Sequence, residues 1–448
     1  MIADLKPYPR YQESKLPWAG SIPSHWNIKR GKALFKESQL AVRDGDEIVT
    51  CFRDGQVTLR RNRRTSGFMM ALYEAGYQGV RKGQLVIHAM DAFAGAVGVS
   101  ESDGKCTPEY IVADPRADSA LAGYFALLLR FAAHQGFILV SCPAVRERAP
   151  RFRYPDFGNM DMLLPPAAEQ AAIVRFLDWA NGRLERAIRA KRKVIALLNE
   201  QKQAIIHRAV TRGLDPSVPL KPSGIPWLGD IPQHWEVMRT KFLAHIKTGG
   251  RDTVDRIDGA PYPFFVRSQT VERIDTYSFD GEAVLTAGDG AGVAKVFHYI
   301  DAKFDYHQRV YKFSNFKQVS GRFFFLYLKS TLRFEALDAS AKSTVDSLRL
   351  PLLQNFPTLV PPSDEQLAIV RAVATETAGL DTVMSRVARE IELLREYRTR
   401  LVADVVTGKL DVRAAAARLP EETDEPERLD DEETGDADLD AMTQEAEA

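Results

Sequence analysis

Cysteine is scarce in this chain. Cys51, Cys106 and Cys142 are its three, they lie far apart, and none forms a Cys-x-x-Cys pair. That argues for a reducing compartment and against a structural zinc site. Long apolar runs are missing too. None approaches the roughly 20 residues that span a bilayer, and Met1–Lys15 lacks the apolar centre of a signal peptide. The expectation is a cytoplasmic protein without a membrane partner. Catalytic signatures are also absent. There is no Gly-x-Gly-x-x-Gly, no phosphate-binding Gly-x-x-x-x-Gly-Lys-Ser/Thr and no Gly-x-Ser-x-Gly elbow. Gly288-Asp289-Gly290-Ala291-Gly292 lacks the lysine a phosphate loop needs and reads as a turn. The eight histidines include no His-x-x-x-His pair, and the carboxylates form no recognisable metal-binding nuclease cluster.

Hydrophobic residues make up 45% of the 448 and charged residues 27%, ordinary for a soluble globular protein of two or more domains. The net charge of zero conceals an asymmetry. From Glu421 to Ala448 there are 14 acidic residues and one basic, Arg428, which leaves 59 basic against 46 acidic on the body. A body of about +13 suits a polyanion partner. The tail reads either as a disordered solubilising segment or as a detachable acidic one.

What the sequence does contain is a duplication. Ile22-Pro23-Ser24-His25-Trp26 returns as Ile231-Pro232-Gln233-His234-Trp235, and Trp18-Ala19-Gly20 as Trp227-Leu228-Gly229, both 209 residues on. Pro165-Pro166-Ala167-Ala168-Glu169-Gln170 returns 196 residues on as Pro361-Pro362-Ser363-Asp364-Glu365-Gln366. Each of these openings leads into a long helical pattern. Ile173, Leu177, Leu184, Val194 and Leu198 mark the first stripe, and Ile369, Val373, Leu380, Val383 and Leu394 the second. Gly213 is placed to end the first helix. Each helix has about 40 residues, roughly 60 Å at 1.5 Å per residue. A stripe that long needs another helix, and the equivalent helix in the same chain, running antiparallel, is the simplest partner. His25 and His234, each beside a tryptophan at equivalent positions, suggest packing and hydrogen bonding.

The globular stretches read as mixed α+β. Gln84–His88, Phe137–Val140, Phe264–Val266 and Glu282–Thr286 suggest strands. Leu121–Ala133 and Arg322–Leu337 suggest helices. The expected division is a first domain over 1–163, a central helix over 164–212, a second domain over 213–361, a C-terminal helix over 362–412 and an acidic tail over 413–448. The fold class is α+β: two mixed α/β domains separated by two long antiparallel helices, an intramolecular coiled coil with a pseudo-twofold repeat. Two copies in one chain can grip two similar objects a fixed distance apart, and DNA half-sites are the obvious candidates.

Candidate DNA contacts follow from the basic runs. Arg60, Arg61, Arg63 and Arg64 surround Asn62 at an expected strand end or exposed loop. Arg146, Arg148, Arg151 and Arg153 interleave with Phe152 and Tyr154. The second globular stretch offers Arg251, Arg267, Ser268, Gln269, Gln308, Arg309, Lys342 and Ser343. Arginine presents a fork that fits phosphate or the guanine edge, and glutamine can pair with adenine.

The whole arrangement resembles the specificity subunit of type I restriction-modification systems. The residues that carry the resemblance are Gly224–Trp235, its shorter copy Trp18–Trp26 and the two Pro-Pro-x-x-Glu-Gln openings. It extends from Leu16 to about Arg413 and leaves the acidic tail out. The resemblance implies two target-recognition domains, each reading one half of a bipartite asymmetric DNA target, and no catalysis by the subunit itself. It implies two modification subunits, which carry S-adenosylmethionine and methylate adenine at N6, so that no cofactor is bound by this chain. Translocating nuclease subunits join complexes that also cleave. Glu169, Gln170, Glu365 and Gln366, at the helix openings, are the candidate partner-docking residues. Two other readings stay open: an autonomous methyltransferase or nuclease with its site hidden in a globular stretch, and a helical scaffold that binds no DNA.

Overall fold

The structure is a computed structural model that describes residues 5–63, 76–116, 120–141, 151–290, 294–340 and 347–420. It divides into two compact units, residues 1–187 with 393–448 and residues 188–392. The first long helix, Ala167–Arg212, and the second, Ser363–Val406, each contribute one part to each unit.

Unit 1 begins with a hairpin, Tyr11–Glu13 against Ser21–Pro23, and a strand, Asn27–Arg30, antiparallel to Asp161–Leu164. Its main sheet is antiparallel, in the order Phe35–Glu37, Tyr110–Pro115, Leu85–His88, Val97–Val99. The side-chain alternation of a strand sends Leu85 and Ile87 into the principal core and Val86 into a second cluster with Val49, Cys51, Val57 and Cys106. Burial on both faces explains why this strand reads as a nearly unbroken apolar run. Helix Ala122–His134 covers the principal core, which also takes Ile173, Phe176 and Leu177 from the first long helix and Leu401 and Val405 from the second.

Phe137–Val140, expected as a strand, lies in a short helix, Phe137–Ser141. A run of four apolar residues carries no period that separates strand from helix. Gly136, at φ +77°, ends the preceding helix, and only Ile138 of the run is buried completely, while Val140 is 84% exposed.

Unit 2 repeats the frame. A hairpin, Leu220–Pro222 against Asp230–Pro232, precedes Glu236–Arg239, which pairs antiparallel with Pro357–Val360. Inside the frame stands a six-stranded sheet in the order His245–Thr248, Val310–Ser314, Phe279–Ala287, Phe297–Tyr306, Tyr262–Phe265, Val271–Ile274. All its pairs are antiparallel except Tyr262–Phe265 with Phe297–Tyr306. Helix Gly321–Ser340 lays Phe323, Phe324, Tyr327 and Leu328 over the Val284 and Phe313 face, and Ile369, Val373, Ile206 and Val210 of the long helices close this core.

Within each unit the segments of the two long helices run antiparallel. In unit 2, Lys191 pairs with Glu390 at 2.6 Å and Lys202 with Asp381. In unit 1, Arg398 pairs with Glu185 at 3.0 Å. The seam is narrow. Val194 and Val383, read from the sequence as stripe members, are 43% and 45% exposed, because two helices bury only the positions directly between them.

Candidate nucleic-acid interface

The repeated Pro-Pro-x-x-Glu-Gln segments build the frame that carries the candidate interface. In unit 1, Glu169 accepts from Trp26 Nε1 at 3.1 Å, from the Tyr8 hydroxyl, and contacts His25 Nε2 at 2.8 Å. Burial and the bond to Glu169 hold the Tyr8 hydroxyl above the usual tyrosine range, so it remains a donor. In unit 2, Glu365 accepts from Trp235 Nε1 at 2.9 Å and contacts His234 Nε2 at 2.8 Å. The glutamines repeat as closely. Gln170 Nε2 donates to Pro165 O at 2.8 Å and its Oε1 accepts from Leu121 N at 2.8 Å. Gln366 donates to Pro361 O at 2.8 Å and accepts from Ser320 N at 2.8 Å. Of these four expected docking residues, Glu169, Gln170 and Gln366 are buried and Glu365 is half-buried, and all four are engaged inside their own unit.

The unit 1 arginines follow a hairpin, Val49–Cys51 against Val57–Leu59, and Arg60–Asn62 form a single 3-10 turn at its end. Arg60 Nε donates to Thr50 Oγ1 at 3.3 Å. Arg61 pairs with Glu47 at 2.6 Å, and Arg63 with Asp54 at 2.6 Å, with the Arg63 guanidinium also 4.3 Å from the centre of the Phe52 ring. Their side chains are 65% and 36% exposed, and exposed ion pairs contribute little to stability, so both guanidiniums can exchange a carboxylate for a phosphate. Arg151 pairs with Glu109 at 3.1 Å, and Arg153 lies exposed at the start of helix Tyr154–Asn159. Arg64, Arg146 and Arg148 lie outside the described residues.

In unit 2 the folding of the sheet brings five candidates from three separate stretches of the chain onto one connected surface. Gly249 runs so close to the neighbouring strand that a Cβ there would lie 1.9 Å from Tyr306 O, and only glycine permits that approach. The chain then pairs through Arg251 with His307, and Gln308 N donates to Arg251 O at 2.8 Å. Gln308 Nε2 donates to Asp252 at 2.7 Å, and Arg251 Nη2 to Thr276 Oγ1 at 3.0 Å. Arg267 and Arg309 share Asp289, at 3.2 Å and 2.8 Å. Gln269 Nε2 donates to Lys295 O at 2.8 Å. His307 accepts from Arg309 N through Nδ1 at 3.0 Å, and burial holds it below the usual histidine range, in the neutral form that bond requires. Lys342 and Ser343 lie outside the described residues. The sequence reading missed the carboxylates that hold this surface in place, Asp252, Asp289 and Asp305, the last accepting from Arg251 Nε at 3.5 Å. The available signal was Asp289 itself, flanked by two glycines that were read only as a turn.

Among the described residues no group of His, Cys, Asp and Glu could hold a metal ion, and no helix is long and apolar enough to cross a membrane. Burial pushes the Cys51 and Cys106 thiols up to about 12, which keeps them protonated and inert at neutral pH.

Comparison with known proteins converges on one family. Residues 232–392 match the type I restriction modification DNA specificity domain. The chain is 24% identical over 182 residues to the type I restriction enzyme EcoDI specificity subunit of Escherichia coli, covering 41% of this chain and 40% of that protein. It is 24% identical over 282 residues to the type I restriction enzyme MjaVIII specificity subunit of Methanocaldococcus jannaschii, covering 57% and 64%. The matches thus span less than two thirds of either relative. A solved structure described as the basis of complex assembly and conformational transition of the type I R-M system shares the fold, with a TM-score of 0.58 at 16% identity over 87% of this chain and 99% of that one. Residues 232–392 thus match a type I restriction modification DNA specificity domain, and the chain is similar beyond them to specificity subunits of type I restriction enzymes.

Proposed function

We propose that this chain is the DNA-recognition subunit of a type I restriction-modification complex. Each globular domain reads one half of a bipartite, asymmetric duplex target, and the chain itself performs no chemistry. The observation that carries this reading is the contrast between frame and contents. The hairpin, the tryptophan turn and the Glu-Gln helix start recur at fixed shifts, whereas unit 1 holds a four-stranded sheet with two small accessory sheets and unit 2 holds a single six-stranded one. One frame around two unlike interiors suits two unlike half-sites. The basic body supplies the sequence-independent attraction to phosphate.

The catalytic partners in this reading are two modification subunits carrying S-adenosylmethionine, joined by nuclease subunits where the complex also cleaves, and the place of action is the cytoplasm. Glu169, Gln170, Glu365 and Gln366 serve docking indirectly, by fixing the helix starts whose exposed neighbours meet the partner. The number of turns in the helix pair sets the gap between the half-sites.

Selection from a randomised duplex library tests the reading. The purified full chain should enrich two short motifs at a constant spacing, and should neither methylate nor cleave until partner subunits are added. Replacing Arg61 and Arg63 with alanine should weaken binding and lower the salt slope by roughly 0.9 for each phosphate no longer neutralised. Enrichment of no sequence, or methyl transfer by the chain alone, refutes the proposal.

A further inference from the structure

The carboxylate of Asp289 stands between two of the candidate reading arginines. Arg267 Nη1 donates to Oδ1 and Arg309 Nη1 to Oδ2. The three residues arrive from separate parts of the sheet: Arg267 after Tyr262–Phe265, Asp289 after Phe279–Ala287, and Arg309 just before Val310–Ser314. The acceptor is fixed. Gly288 N donates to Arg309 O at 2.8 Å, Leu348 N donates to Gly288 O at 2.8 Å, and Asp289 itself pairs with Ser347. Arg267 and Arg309 are 43% and 58% exposed, and each gives Asp289 a single nitrogen of a guanidinium that carries five N–H donors.

Exposed ion pairs of this kind contribute little to stability, so the value of the arrangement is geometric. An arginine held by one nitrogen has less freedom left to lose when its remaining edge meets a planar pair of acceptors. In the major groove that pair is N7 and O6 of guanine. A phosphate would accept the same fork but carries no sequence information, and this separates the two ligands experimentally.

We propose that Asp289 is a positioning residue that presents Arg267 and Arg309 to the guanine edge in the half-site read by unit 2. The proposal rests on the DNA-recognition reading above. The test compares full-length wild type, Asp289→Asn and Arg309→Lys in library selection, then by fluorescence anisotropy on the enriched duplex and on a scrambled one. Asp289→Asn is expected to lose the requirement for a guanine in one half-site only, cutting the ratio of enriched to scrambled affinity about tenfold. Its binding to the scrambled duplex should hold or rise, because a negative charge has left the surface. Arg309→Lys, which keeps the charge and loses the fork, should relax the same position. A purely structural Asp289 would lower the melting temperature and weaken both duplexes in proportion, and that result overturns the proposal. So does either variant selecting the wild-type motif. If wild type itself enriches nothing, the DNA-recognition reading fails first, an outcome distinct from variants that match a wild type with a clear motif.

Discussion

Replacing the glutamate of each helix start with alanine should destabilise the two units unequally, although the two sites descend from one repeated motif. Glu169→Ala removes the acceptor of two buried donors, Trp26 Nε1–H and the Tyr8 hydroxyl, whose residues are 1% and 3% exposed. Leaving a buried donor unsatisfied costs about 1–3 kcal/mol, so two cost roughly 2–6 kcal/mol. His25, 40% exposed, can turn to water and adds little. Glu365→Ala orphans one buried donor, Trp235 Nε1–H, since His234 is 44% exposed and, among the described residues, no tyrosine joins the site. Its expected cost is about 1–3 kcal/mol. At roughly 2–4 °C per kcal/mol the difference is visible by calorimetry of the full chain, and hydrogen exchange assigns each loss to its unit. Adding Tyr8→Phe to Glu169→Ala should recover about 1–3 kcal/mol by removing the orphaned hydroxyl. Equal losses from the two glutamates, or no recovery on removing the Tyr8 hydroxyl, would refute the reasoning.

Lys312 is buried with its ammonium 3.3 Å from the centre of the Phe279 ring, and burial lowers its pKa from 10.5 to about 8. Between those values the unfolded chain binds more protons than the folded one, so the stability of unit 2 should rise with pH from about 8 to about 10.5 and be flat in this term below that window. Lys312→Met should abolish the alkaline gain in denaturant titrations at pH 7.5 and pH 10. Gly408, at φ +75°, leaves no space for a Cβ, which would lie 2.4 Å from Pro23 Cδ. Gly408→Ala should cost more than the roughly 1–2 kcal/mol of a left-handed alanine alone. Gly213→Ala, where the nearest atom is Glu365 Oε1 at 3.0 Å, should cost less than Gly408→Ala in the same thermal assay.

Much of the frame was legible in the chain because it is local or repeated. The spacing of apolar residues marked both long helices, expected within 164–212 and 362–412 and observed over 167–212 and 363–406, so the second ends six residues before its expected bound. Strand Leu85–His88 and helix Gly321–Ser340 were visible in their periodicity and flanking turns. Phe137–Val140 was misread because its hydrophobicity reflects one buried isoleucine and its neighbours' partial exposure, not a pleated sheet. Val194 and Val383 were placed in the stripe because spacing registers a face of a helix but not how wide a strip the partner covers.

The sequence by itself determined the duplication, the helix lengths, the basic body and the absence of catalytic signatures, since each depends only on residue identity and spacing. It could single out Arg251, Arg267, Gln269, Gln308 and Arg309 as types able to read DNA, but not that they share a surface. That was decided by the strand order of the six-stranded sheet, which sets neighbours that sequence separation does not reveal. Tertiary structure also turned the recurring glutamate into an anchor for the tryptophan turn, and the Asp289 turn into the acceptor between two arginines. The physical reason is the same in each case. A hydrogen bond is made between atoms within about 3 Å, and only the folded chain brings atoms from residues 20 to 144 positions apart to that distance.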